Sequence, residues 1–76
     1  MSRKPSPELL QRVARNIKRL RRARGMTQAQ LAKGSGLTKS YICNAEKARL
    51  GNPSISTLEA FAEGLGCEAW ELVSVE

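Results

Sequence analysis

The 76-residue chain carries 13 Lys and Arg against 7 Asp and Glu, a net charge of +6, with 41% hydrophobic residues, two cysteines and no histidine. A chain this short builds one domain with a modest core, burying only about 60% of its unfolded surface. The lack of histidine removes the commonest general base and metal ligand, and Cys43 and Cys67 make neither a disulfide framework nor a zinc site, so no enzyme, metal or cofactor chemistry is expected.

Residues 1–5 read as a flexible basic arm. Ser6-Pro7-Glu8 then marks a helix start: a hydroxyl N-cap, proline in the first turn and an acid near the positive end of the dipole. Leu10, Val13, Ile17 and Leu20 follow on one face, Arg12, Arg15, Arg19 and Arg22 on the opposite one, and Gly25 is the stop. The first predicted helix spans 7–24, its arginine stripe read as a solvated face. Thr27-Gln28-Ala29-Gln30 is a capping box opening a second helix over 28–35, with Leu31 and Ala32 turned inward. Gly34 inside it is a weakness of about 1 kcal/mol relative to alanine. Gly36-Leu37-Thr38 makes a tight turn, and Thr38 caps a third helix over 39–47. Two short helices joined in this way have the signature of a helix-turn-helix. A turn-rich loop follows. Ser54 caps a fourth helix whose stripe is Leu58, Phe61, Ala62 and Leu65, stopped by Gly66. Cys67–Val73 reads as a last short helix, with Cys67 in the core. Nothing reads as a strand, a membrane span or a secretory signal. The expected fold is all-α, with five helices, a helical core over 7–73 and a single domain over 1–76. Two free thiols fit the reduced cytoplasm.

At 100° per residue, Leu37, Ile42, Ala45, Glu46 and Arg49 gather on one side of the third helix. Ser40, Cys43, Asn44 and Lys47 gather on the other, with Lys39 at the edge. Ile42 and Ala45 are the expected anchors. The other side offers short polar groups that suit base edges in a major groove, and lysines that reach phosphate or guanine. A merely solvated face is the plainer alternative. Glu46 lies beside the anchors, and Arg21 lies about 40° from Ile17 on the first helix. A charge taken out of water costs several kcal/mol unless paired, so Arg21 and Glu46 are expected to pair.

The charge is polarised along the chain. Residues 1–50 hold every basic side chain and two acids, a balance of +11, whereas residues 51–76 hold five acids and no base, a balance of −5. Such polarity argues for one surface that meets a polyanion and another that does not, the plainer alternative being charge that solubilises a small domain.

The stretch "RLRRARGMTQAQLAKGSGLTKSYICNAEKARLGNPSISTLEAFAEGLGCEAWEL" resembles the Cro/CI-type (XRE family), lambda-repressor-like helix-turn-helix domain of phage repressors and many bacterial regulators. The resemblance covers residues 13–73 and rests on Gly25, "MTQAQLA", Gly36-Leu37-Thr38, Ile42, Glu46, "NPS" and "LEAFAEGLG" in order. It implies five helices, with helices two and three as the DNA-binding pair. It further implies a phosphate clamp at Gln28, base reading by Lys39, Ser40, Cys43 and Asn44, backbone contacts at Thr38 and Tyr41, and a helix-bridging pair of Arg21 with Glu46. Lys47 and Arg49 are the basic residues expected to join the backbone contacts. The last helix and tail are often a dimer contact in this family. Ala45 departs from a usually larger aliphatic, Gly34 and Ser35 loosen helix two, and the loop 47–52 is one residue longer than common. Trp70 either stands exposed for a partner or folds back on helix one or four.

The expected function is a sequence-specific transcriptional regulator, a repressor or autoregulatory controller, which binds a palindromic DNA operator as a homodimer with helix 39–47 in the major groove. No small-molecule ligand is implied. The rival is a protein-interaction adaptor or antitoxin-type module that uses the same fold to hold a protein partner.

Overall fold

A computed structural model of the chain describes residues 6–75; the basic arm read at residues 1–5 lies outside them. Four α-helices run in order: α1 (Pro7–Ala23), α2 (Gln28–Ser35), α3 (Lys39–Glu46) and α4 (Ile55–Leu65). They close on one core of Val13, Ile17, Leu20, Leu31, Ile42, Ala45, Phe61, Ala62, Leu65 and Leu72. Full burial of each large side chain stabilises the fold by about 1.5–3 kcal/mol. On α1 the partly buried residue packed against this core is Leu9 rather than Leu10, so the stripe begins one residue earlier than its spacing indicates.

Each helix starts where its local chemistry dictates. Ser6, Thr27, Thr38 and Ser54 hold extended backbone, and each side chain accepts from the amide three residues on. The Thr27 box is closed in both directions, with Gln30 N–H on Thr27 Oγ1 at 3.1 Å and Thr27 N–H on Gln30 Oε1 at 2.8 Å. These caps satisfy amides that the first turn leaves unpaired.

The expected fifth helix is corrected. Ala69–Leu72 forms a 3₁₀ turn of four residues, so the described fold has four α-helices and not five. Its bonds run from Glu71 N to Glu68 O at 3.0 Å and from Val73 N to Trp70 O at 3.1 Å. A segment this short does not repay α-helix nucleation. The end of this segment is held by another helix: Asn16 Nδ2 on α1 donates to Leu72 O at 2.9 Å and to Ser74 O, beyond the turn, at 3.0 Å. Asn16 is 1% exposed. Arg12 Nη1 adds a bond to Val73 O at 3.4 Å, and Arg19 Nη2 donates to Asn16 Oδ1 at 3.2 Å. Part of the arginine stripe therefore ties down the C-terminal segment instead of standing free in solvent.

Candidate nucleic-acid interface

The turn between α2 and α3 is short because Gly36 sits at φ +76°, in the left-handed region where a β-carbon is costly. Its amide closes α2 on Ala32 O at 3.0 Å. Thr38 then starts α3, and its Oγ1 accepts from Tyr41 N at 3.0 Å. That bond leaves the Thr38 hydroxyl proton available to an outside acceptor.

α3 has the two faces its sequence indicates. Ile42 and Ala45 are 0% and 3% exposed. Lys39, Ser40, Asn44 and Lys47 are exposed, while Cys43 is half-buried between the faces. Tyr41 is also half-buried, with its ring stacked on Phe61 at a centroid distance of 6.2 Å and 25° between planes. This aromatic contact adds apolar packing beside the small Ala45.

Arg49 departs from the helical angle. It reads as inward on a continued helix, yet it is exposed. α3 ends at Glu46 with Lys47 as its cap, Ala48 turns to φ +58°, and Arg49 N–H returns to Asn44 O at 2.9 Å. A left-handed residue after a helix redirects the chain, and here it brings Arg49 to the surface beside exposed Lys47.

The Arg21–Glu46 pair forms as the sequence indicates. Arg21 Nε donates to Glu46 Oε2 at 2.6 Å and Nη2 donates to Oε1 at 3.0 Å, with side chains 12% and 3% exposed. Arg21 Nη1 also donates to Met26 O at 2.8 Å. Gln28 joins this group, its Nε2 donating to Glu46 Oε1 at 3.2 Å. Burial alone would push the Glu46 carboxyl up. Hydrogen bonds from Arg21 and Gln28, with the charges of Arg21 and Lys18, outweigh it and hold the group below the usual carboxylate range. The bond to Glu46 raises Arg21 above its ordinary value despite desolvation. Both groups are therefore charged at neutral pH.

Cys67 is partly buried against the core, and burial first, then Glu71, pushes its thiol up. That disfavours a reactive thiolate. Trp70 is 65% exposed, so it does not fold back into the core. Among the described residues no helix is long and apolar enough to cross a membrane, and no group of three or more His, Cys, Asp or Glu could hold a metal.

An α2–turn–α3 unit held to two flanking helices, with the outer face of α3 in solvent, defines a helix-turn-helix domain. The family model described as helix-turn-helix (HTH_3) matches residues 17–69, and the chain belongs to that family, of the XRE type. It is a family of DNA-binding regulators, not of enzymes. The chain is 44% identical over 64 residues to the immunity repressor protein of Bacillus phage phi105, covering 84% of this chain and 44% of that protein. It thus spans less than half the length of this relative. Among solved structures, the restriction-modification controller protein C.AhdI from Aeromonas hydrophila is similar, with 33% identity and a TM-score of 0.78 over 83% of this chain and 94% of that one. The controller protein C.Esp1396I, solved as a tetramer with its natural 35 base-pair operator, is 35% identical with a TM-score of 0.78 over 86% of this chain and 88% of that one.

Proposed function

We propose that this chain is a sequence-specific DNA-binding transcriptional regulator, a repressor or autoregulatory controller, acting in the cytoplasm as a homodimer on a palindromic operator. The observation that carries this reading is α3 itself: anchored by Ile42, Ala45 and Glu46, it leaves Lys39, Ser40, Asn44 and Lys47 in solvent. α3 enters the major groove, where Lys39, Ser40, Cys43 and Asn44 read bases. Asn44 can pair bidentately with adenine, and Lys39 can approach guanine. Gln28, Thr38, Tyr41, Lys47 and Arg49 meet the backbone, and the N-termini of α2 and α3 add outward amides and a positive dipole end for phosphates. Basic residues release counterions and make affinity salt-dependent. The relatives named as an immunity repressor and as restriction-modification controllers support the regulatory role.

One such domain covers a small interface, so two copies on adjacent half-sites, centred about 34–36 Å apart, supply the affinity. Exposed Trp70 and Val75, 65% and 77% accessible, support the C-terminal segment as the contact between copies. Base and backbone roles separate under mutation. Asn44→Ala should relax preference at one base position by about 1–3 kcal/mol, whereas Gln28→Ala should weaken all duplexes together. Binding of both variants to a panel of single-substitution operators checks this, and identical responses would refute the division of roles.

A further inference from the structure

We infer that buried Glu46 is a positioning residue for DNA binding, orienting the Gln28 side-chain amide so that its NH₂ end faces a backbone phosphate. The inference rests on the reading of Gln28 as a phosphate contact. Glu46 itself touches no DNA in this scheme; it acts through Gln28.

The reasoning starts from what each group can do. A side-chain amide has a donating end and an accepting end, and rotation exchanges them. Only the donating end can bind a phosphate oxygen. A carboxylate only accepts, so the NH₂ of Gln28 must face Glu46, as it does at 3.2 Å. The reverse orientation would set a carbonyl oxygen against a charged carboxylate. One N–H is used on Glu46, and the second stays free at the first residue of α2, beside the unpaired amides of the helix start.

The carboxylate is itself fixed. Arg21 grips both of its oxygens, at 2.6 Å and 3.0 Å, and Arg21 is held in turn by Met26 O at 2.8 Å. The guanidinium also offsets the carboxylate charge, which would otherwise repel an approaching phosphate. α1, the turn after it, α2 and α3 thus meet at one amide whose orientation is set before DNA arrives. Such preorganisation strengthens binding by removing an ordering cost.

The test is a double-mutant cycle on the full chain, using wild type, Glu46→Gln, Gln28→Ala and the double variant. Dissociation constants for a mixed-sequence duplex are read at low salt, at a temperature where circular dichroism shows every variant folded. Glu46→Gln removes the charge that dictates the amide's orientation. It should weaken binding about three- to tenfold when Gln28 is present, the scale of one neutral hydrogen bond, and add nothing in the Gln28→Ala background. Ser6→Ala, which removes the cap of α1 far from this network and from the C-terminal segment, should leave the folded protein's affinity unchanged; a similar loss there would show that Glu46 acts only through stability. Additive effects of Glu46→Gln and Gln28→Ala overturn the positioning role while leaving the phosphate contact standing. A Gln28→Ala variant that binds like wild type overturns both. If Glu46→Gln does not fold, Glu46→Asp takes its place in the cycle, since it keeps the charge but withdraws the carboxylate by one methylene.

Discussion

The two ends of α2 are joined to the rest of the molecule by opposite means. At its N-terminal end Gln28 meets Glu46, which Arg21 grips in turn, a seam of charge and hydrogen bonds linking three helices. At its C-terminal end Gly34 lies against Gly64 of α4, a seam made by missing side chains. A β-carbon at Gly64 would fall 2.9 Å from Leu31 Cδ1, 2.9 Å from Ser35 Cβ and 3.0 Å from Ser35 N. The first seam depends on partners and is sensitive to protonation. The second depends on space and is indifferent to pH. Together they hold α2 to its neighbours, to α1 and α3 by directional bonds and to α4 by close approach.

Breaking the polar seam should have the largest effect. Glu46→Ala leaves Arg21 buried without its partner, costing about 3–5 kcal/mol, enough to lower the melting temperature of so small a domain by more than about 10 °C. Thermal denaturation checks this, and a shift of a degree or two would contradict it. The same seam sets an acid limit. Glu46 is held below the usual carboxylate range, so its contribution is complete above the unfolded value of about 4.3 and is lost as pH falls through the lower folded value. Arg21 stays protonated throughout and adds no such dependence. The stability gap between wild type and Glu46→Ala, measured by denaturant at several pH values, should therefore be constant above that value and close below it.

Crowding the steric seam comes next. Gly64→Ala should destabilise by about 1–3 kcal/mol through overpacking, even though alanine otherwise favours a helix, and that loss should not vary with pH. Gly34 sharpens the contrast from the other side. A β-carbon there would lie 3.5 Å from Gly64 Cα and 3.6 Å from Gly64 O, an ordinary contact. Gly34→Ala should accordingly stabilise α2 by about 0.5–1 kcal/mol, read as a melting temperature a few degrees higher. Equal responses from the two glycines would contradict the packing described.

The same contrast explains what could be read from the chain. Glu46 and Arg21 betrayed themselves as charges on apolar faces, and the caps at Thr27, Thr38 and Ser54 are local chemistry spanning three residues. Gln28 is neutral, so nothing in its periodicity marks it as Glu46's neighbour. Gly64 matters through atoms it lacks, and no pattern of hydrophobicity records an absence. Asn16 was within reach: it lies at the edge of the apolar face, about 40° from Leu20, where a polar side chain needs a partner, but that partner is backbone 56 residues away. The fifth helix is missing for a different reason: the segment after Gly66 forms only a four-residue 3₁₀ turn, too short to repay α-helix nucleation. On α3 the two faces were readable from angles except at Cys43 and Arg49. Cys43 is half-buried, and Arg49 escapes the helical angle because Ala48 turns left-handed.

The most direct measurement of DNA reading by α3 is selection of the full chain against a pool of random duplexes, followed by titration of the selected sequence over a range of salt concentrations. Enrichment of one inverted repeat with half-sites one helical turn apart, and log affinity falling linearly with log salt, is the predicted result. A pool left unenriched, or no duplex bound even at low salt, would contradict it.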